Sequence, residues 1–236
     1  ILVQTDKERK ANLTQWAENL TKEVFLEWET KYSFWQQGFK VFYSPLAPEP
    51  ELMIISLNPG RSHDTEKNFM NEIYPAYKKD NFSIPLENQY VKSNGKIANR
   101  IKELFQGYEN ILEKSVVITV LLFRSIGMKE WKKENPKNTR LSMEDYAYDK
   151  VKTIITKIKP KKILIIGMST FKRLKDNNII PITNEEILDS FGTVGKIKIA
   201  KMNQTSIIAI PHLSGVRISD ENNNKIKKSF KKFMDK

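Results

Sequence analysis

Hydrophobic residues recur along this chain with two different spacings. In the first segment they return every three or four residues, which is typical of one buried face of a helix. This apolar stripe consists of Leu13, Trp16, Ala17, Leu20, Val24, Phe25 and Trp28. Further along, four short apolar runs are continuous and rich in Val and Ile, as strands buried on both faces of a parallel sheet are. The predicted strands are Glu51–Leu57, Ser115–Leu122, Lys162–Ile166 and Thr205–Ile210.

Helical patterns lie between and after these runs. They cover Gly95–Phe105, Met143–Ile158 and Ser169–Leu174, and a basic helix follows over 220–236. That last helix has one apolar face, formed by Ile226, Phe230, Phe233 and Met234. The segment Gly195–Lys201 alternates apolar and polar residues, which predicts one added strand.

Strands that alternate with helices predict an α/β protein, here a three-layer α/β/α sandwich with a central, mostly parallel four-stranded sheet. We expect a single domain over 1–236, with residues 1–45 as an N-terminal helical attachment. Right-handed crossovers then bring the loops at the carboxyl ends of the strands to one edge, where such folds bind ligands.

Composition restricts the chemistry. The 236 residues include no cysteine and 2 histidines, which excludes thiolate chemistry and argues against a metal centre. The longest apolar run, Val116–Phe123, is well short of the roughly 20 residues of a membrane span. No signal-peptide pattern opens the sequence, so we expect a cytoplasmic protein. We also expect a monomer that does not bind membranes.

Charge points to a polyanionic partner. The 40 basic and 28 acidic residues give a net charge of +12, which favours binding to the phosphates of nucleic acid. The other interpretation is compositional, because Lys, Asn and Ile are frequent throughout, as in proteins from AT-rich genomes.

Two polar loops follow predicted strands. One runs from Ser56 to Asp64 and the other from Ile210 to Arg217. At matching strand ends they would form one crevice, although each could also be a simple turn. The predicted lining residues are Asn58, Arg61, His63, Asp64, His212, Ser214 and Arg217.

The first loop, Leu57-Asn58-Pro59-Gly60-Arg61-Ser62, resembles the first motif of the uracil-DNA glycosylase superfamily. The likeness is strongest to its mismatch-specific uracil/thymine branch, which carries G-I-N-P-G-x-S. The second loop, His212–Val216, resembles the second motif, H-P-S-P-L in the uracil-specific branch and N-P-S-G-L in the mismatch branch. The resemblance extends from about Glu51 to Ser219.

The resemblance implies a monofunctional DNA glycosylase that needs no cofactor and no metal. Such an enzyme flips the target nucleotide out of the stack and hydrolyses the N-glycosidic bond. By this resemblance Asn58 positions the attacking water, and His212 donates a hydrogen bond to the carbonyl oxygen of the departing base. The alternative for His212 is a residue that caps a turn or packs.

The resemblance also assigns binding residues. The base pocket would include Ser56, Leu57, Gly60 and Thr119, with either Phe69 or Phe82 stacking on the base. The DNA-binding residues would be Arg61, Ser62, Ser214, Gly215, Val216 and Arg217, with Val216 as the wedge that fills the vacated stack.

Departures from the motifs affect the expected substrate. Thr119 stands where uracil readers often have Asn, whose amide offers a donor and an acceptor together. Ser56 replaces the opening Gly and Leu213 the Pro of the second motif, and residues Ser62–Tyr90 form a long insertion. These features favour a different or bulkier modified pyrimidine, such as a phage-type hypermodified cytosine. Arg124, at the end of the second strand, could contact phosphate or an unusual base substituent.

The sequence therefore predicts an enzyme that excises a modified or deaminated pyrimidine from double- or single-stranded DNA, in repair or in anti-phage defence. The alternative is a catalytically inactive module of the same fold that binds DNA or a partner. A small-molecule α/β enzyme is a third hypothesis, which would leave the charge unexplained.

Overall fold

The computed structural model describes residues 5–58, 60, 68–125, 127–191, 195–213 and 218–236. Six β-strands lie within these residues and form one sheet. The strands are β1 (Leu52–Ser56), β2 (Val116–Thr119), β3 (Lys162–Ile166), β4 (Thr183–Ser190), β5 (Lys196–Met202) and β6 (Thr205–Ile210).

The sheet is mixed, in the order β2-β1-β3-β6-β5-β4. The first four strands of this order are parallel to one another. Beyond β6, β5 pairs antiparallel with β6, and β4 pairs antiparallel with β5. The α/β class is thus confirmed, whereas the predicted number of four strands is wrong. The alternating segment after Gly195 does form an added strand, β5.

Strand β4 was missed because its sequence carries no strand pattern. Its residues read TNEEILDS, and most of them are exposed, including Ile187 and Leu188. An edge strand of this kind is held by its ladder to β5 rather than by burial of alternate side chains. The four parallel strands, by contrast, are almost entirely buried.

Nine α-helices surround the sheet in the described part of the chain. They are α1 (Asp6–Lys31), α2 (Tyr74–Lys78), α3 (Gln89–Lys92), α4 (Lys96–Leu104), α5 (Glu109–Lys114), α6 (Met128–Glu134), α7 (Lys137–Ile158), α8 (Met168–Asp176) and α9 (Asp220–Met234). A π-helical turn, Phe69–Ile73, leads directly into α2. The predicted helices correspond to α1, α4, α7, α8 and α9.

Helices cover both faces of the sheet. In β1, Met53 and Ile55 join one buried cluster with α1, α7 and α8, while Leu52 and Ile54 join a second cluster with α4, α5 and α9. The alternation follows from the two-residue period of a strand. Helix α1 begins at a capping box formed by Thr5 and Glu8 and buries its predicted apolar stripe in the first cluster.

The outer edge of β2 is covered by the segment 39–43. Lys40 N–H donates to the Leu122 carbonyl at 2.9 Å, and Tyr43 N–H donates to the Val117 carbonyl at 3.0 Å. Phe39 forms an isolated antiparallel bridge with Phe123. This pairing brings Lys40 next to the end of β2 and thus next to Arg124.

None of the helices in the described ranges has the length and apolar content needed to cross a membrane.

Candidate functional site

Asn58 and His212 follow two strands that flank the same neighbour. β1 and β6 both pair in parallel with β3, so the three carboxyl ends meet at one edge of the sheet. Adjacent strands are about 4.8 Å apart, which puts the two loops about 10 Å apart across the end of β3. The Gly167 N–H donates to the Ile210 carbonyl at 2.8 Å, which joins the ends of β3 and β6.

Gly167 keeps the space between the two loops open. Its φ of 98° lies in the region that favours glycine. A Cβ at this position would lie 3.2 Å from Thr170 Oγ1 and 3.6 Å from His212 Cδ2. Any side chain here would therefore crowd Thr170 and His212.

The Asn58 side chain is oriented by Ser125. Its Nδ2 donates to the Ser125 carbonyl oxygen at 2.8 Å and to Ser125 Oγ at 3.0 Å. A carbonyl oxygen can only accept, so this contact fixes which end of the amide is nitrogen. The other polar atom of the half-buried side chain, Oδ1, is an acceptor.

His212 is half-buried at the end of β6, beside Gly167. Burial lowers the pKa of His212 below its ordinary value of 6.5, so the imidazole is neutral at pH 7. A neutral imidazole has one N–H donor and one acceptor nitrogen. The side chain can therefore donate a hydrogen bond without carrying a charge.

Ser56, Leu57 and Thr119 lie where β1 and β2 end side by side. The Ser56 and Leu57 carbonyls accept from Val120 and Leu121 N–H at 2.9 and 2.8 Å, so this backbone is already engaged. The buried Thr119 hydroxyl donates to the Leu121 carbonyl at 2.7 Å, which leaves its oxygen as an acceptor only.

Gly60 lies beyond the end of β1 and is exposed. A Cβ at Gly60 would meet no described atom within 4 Å.

The two candidate stacking residues are both buried in the core. The Phe69 ring lies 5.1 Å from the Trp28 ring and 5.5 Å from that of Phe39. The Arg124 guanidinium lies 5.9 Å from the centre of the Phe69 ring, and Gly38 packs directly against the ring. Because Phe69 is fully buried, a base could stack on it only if such neighbours moved away.

Phe82 packs on other rings in the same core. Its ring stacks on Tyr77 at 4.9 Å and lies 5.7 Å from the Phe25 ring. In this structure Phe82 is therefore a packing residue like Phe69.

The predicted DNA-binding residues fall outside the described part of the chain. They are Arg61, Ser62, Ser214, Gly215, Val216 and Arg217. The same holds for His63 and Asp64. Their roles stay predictions.

Sequence reasoning missed a cationic cavity next to Arg124. A cavity of about 340 Å³ is lined by Lys40, Arg124, Tyr77 and Glu72, among others. Arg124 was recognised because it ends a predicted strand, whereas Lys40 lies in a segment with no periodicity. The pairing of that segment with the edge of β2 could not be read from sequence.

Within the described ranges, no group of three or more acidic or histidine side chains is arranged to hold a metal ion. No family model matches the chain, and no curated protein has significant sequence similarity to it.

Proposed function

We propose that the protein is a DNA N-glycosylase, which flips a modified or deaminated pyrimidine and hydrolyses its N-glycosidic bond to leave an abasic site. The observation that carries the proposal is the position of Asn58 and His212 on either side of Gly167, at the carboxyl ends of β1 and β6. In this proposal the four parallel strands are the superfamily's central sheet, and β5 and β4 are an addition.

Asn58 would position the attacking water. Its Nδ2 is held by Ser125, and Oδ1 can accept a hydrogen bond from water. An amide is too weak a base to deprotonate water, so the glycosidic bond must be largely broken before water attacks. The cationic sugar then needs a correctly placed nucleophile more than an activated one.

His212 would stabilise the departing base. The base leaves with negative charge on its ring and carbonyl oxygens, and a donor aimed at that oxygen lowers the barrier. Because burial lowers its pKa, His212 remains a neutral donor at pH 7. Loss of one such donor costs about 10²–10³ in rate.

The substrate we favour is a modified pyrimidine other than uracil. Thr119 already donates its hydrogen to Leu121, so it can offer a base only an acceptor. It cannot replace an Asn amide, which pairs with the O4 and N3 of uracil together. An acceptor suits the exocyclic amine of a cytosine derivative, including a hypermodified phage cytosine, which would make the role defence rather than repair.

The test is abasic-site formation on a panel of duplexes. The panel contains uracil opposite guanine, thymine opposite guanine, hydroxymethylcytosine and glucosylated hydroxymethylcytosine. We expect cleavage of a modified cytosine that is lost in Asn58→Ala and retained in the matched control Asn12→Ala, since Asn12 is exposed on α1. DNA binding without abasic sites on any duplex would contradict the proposal and favour an inactive binding module.

A further inference from the structure

The cavity beside Arg124 is bounded by three parts of the chain. Lys40 lies on the segment along β2, Glu72 and Tyr77 lie on the π-helical turn and α2, and a loop over 81–85 closes the cavity. Its volume of about 340 Å³ is at the lower end of small-ligand pockets, which span about 300–1,000 Å³.

The two cations of this cavity have no carboxylate partner among the described residues. Lys40 Nζ donates to Gln89 Oε1 at 2.6 Å and lies 4.5 Å from the centre of the Tyr43 ring. The Arg124 guanidinium contacts the Phe69 ring but makes no hydrogen bond or ion pair with any described residue. Both side chains are half-buried, unlike the many exposed lysines of this chain.

The charges of Lys40 and Arg124 act on each other. Burial, and then the nearby Arg124 charge, lower the pKa of Lys40 to about 8. Burial also lowers the pKa of Arg124, although a guanidinium stays charged at any physiological pH. Two like charges that share a poorly solvated cavity are unfavourable, and a bound anion would relieve the repulsion.

Neutral donors surround the cations. Burial raises the pKa of Tyr77 to about 12 and also raises that of Tyr43, so both phenols keep their protons. The Tyr43 hydroxyl is buried close to the Thr119 side chain. The cavity itself therefore offers a guanidinium, an ammonium and the Tyr77 phenol, which are groups that bind oxyanions in proteins.

We propose that this cavity binds an oxyanion of the phosphate class between Lys40 and Arg124. The inference goes beyond the glycosylase proposal and does not depend on it. The oxyanion would be either a phosphate of a bound DNA strand or the phosphate of a free nucleotide. The first source is compatible with the position of Ser125, which follows Arg124 directly and holds Asn58.

Binding of inorganic sulfate to the full chain, measured by calorimetry, tests this site directly. We expect roughly millimolar sulfate to bind the wild type, and Arg124→Gln to weaken that binding about tenfold or more. The matched control is Arg9→Gln, because Arg9 is exposed on α1 far along the chain from the cavity. Equal affinities for the wild type and Arg124→Gln would overturn the proposal.

Glu72 provides a variant whose effect a misfolded protein cannot imitate. Glu72 is one of the residues that line the same cavity, and its negative charge opposes the binding of an anion there. Glu72→Gln should therefore bind sulfate about two- to fivefold more tightly than the wild type. Unchanged or weaker binding by a folded Glu72→Gln protein would contradict an anion site here.

The pH dependence of sulfate binding identifies Lys40. The charged and titratable groups around it are Arg124, Tyr43, Tyr77, Glu72, Glu87, Tyr90 and Lys92. Lys40 loses its charge on passing its pKa of about 8, so sulfate should bind several-fold more weakly at about pH 9.5 than at about pH 6.5. This difference should disappear in Lys40→Gln, and its persistence there would contradict a role for Lys40.

Two competitors distinguish the source of the phosphate. If a short single-stranded oligonucleotide displaces sulfate, the site takes a phosphate of the DNA strand. If a nucleoside monophosphate displaces sulfate and the oligonucleotide does not, the site takes a free nucleotide. Both results support the oxyanion site, and the absence of sulfate and phosphate binding to the wild type would overturn it.

Discussion

The buried charge of Lys40 should make the stability of the protein depend on pH. Lys40 has a pKa of about 8 in the folded protein, against 10.5 for an ordinary lysine. Below pH 8 the side chain is protonated in both states, and the folded state carries the full cost of its charge. Between pH 8 and pH 10.5 the unfolded chain binds more protons, so the free energy of unfolding rises with pH.

The size of this effect follows from the two pKa values. A difference of about 2.5 corresponds to about 3 kcal/mol at 1.36 kcal/mol per pKa unit. Lys40 retains some contact with solvent, which reduces the effect. We expect the wild type to gain about 2 kcal/mol between pH 7 and pH 10 relative to Lys40→Gln.

Urea denaturation followed by tryptophan fluorescence measures this gain. The wild type, Lys40→Gln and the exposed control Lys10→Gln would be unfolded at pH 7, 8.5 and 10 in chloride buffers. Comparison with Lys40→Gln removes the opposing contribution of the tyrosines, whose raised pKa values lower stability above pH 10. A difference between wild type and Lys40→Gln that is constant across these pH values would refute the reasoning.

Three further substitutions have defined outcomes. Gly38→Ala should lower the free energy of unfolding by about 4 kcal/mol in urea titrations, because φ is 69° and the new Cβ would lie 2.3 Å from the Phe69 ring. Gly167→Ala should lower the free energy of unfolding by about 2 kcal/mol and slow abasic-site formation by the folded protein more than tenfold, since its Cβ would crowd Thr170 and displace the His212 ring. Ser125→Ala should lower kcat about three- to tenfold with KM unchanged, since one of the two bonds to Asn58 is lost, and Ser125→Thr should restore kcat. An equal effect of both Ser125 variants would argue against positioning.

The parallel half of the sheet was predictable because a strand that is buried on both faces has a continuous run of apolar residues. β1 and β6 read as continuous apolar runs, and the structure buries them almost completely. The amphipathic helices were predictable for the same reason, since a single buried face gives a regular spacing.

Strand β4 shows the limit of that approach. It pairs with β5 through backbone hydrogen bonds and exposes most of its side chains, so its sequence resembles that of a loop. The backbone bonds that define such a strand are available to any residue except proline. The strand count could not be obtained from the hydrophobic pattern.

The candidate site was partly predictable. The placement of Asn58 and His212 near one edge follows from parallel strands, and each residue does lie just beyond the end of a strand that flanks β3. The spacing of Phe69 and Phe82 from the motif could not show that other rings bury them. The cationic cavity forms because the segment that contains Lys40 pairs with the edge of β2. This is a long-range contact, which a local sequence pattern does not predict.

The most direct test of the proposed function is single-turnover formation of abasic sites on duplexes that contain hydroxymethylcytosine or its glucosylated form. We expect excision by the wild type and by Asn12→Ala, a rate about 10²–10³ lower in His212→Ala, and a comparable loss in Asn58→Ala. Because burial lowers the pKa of His212, protonation of the imidazole should change the wild-type rate only at a lower pH than for a histidine with the ordinary pKa of 6.5. Equal rates for the wild type and both site variants, or no excision by a wild type that binds the DNA, would contradict the proposed function.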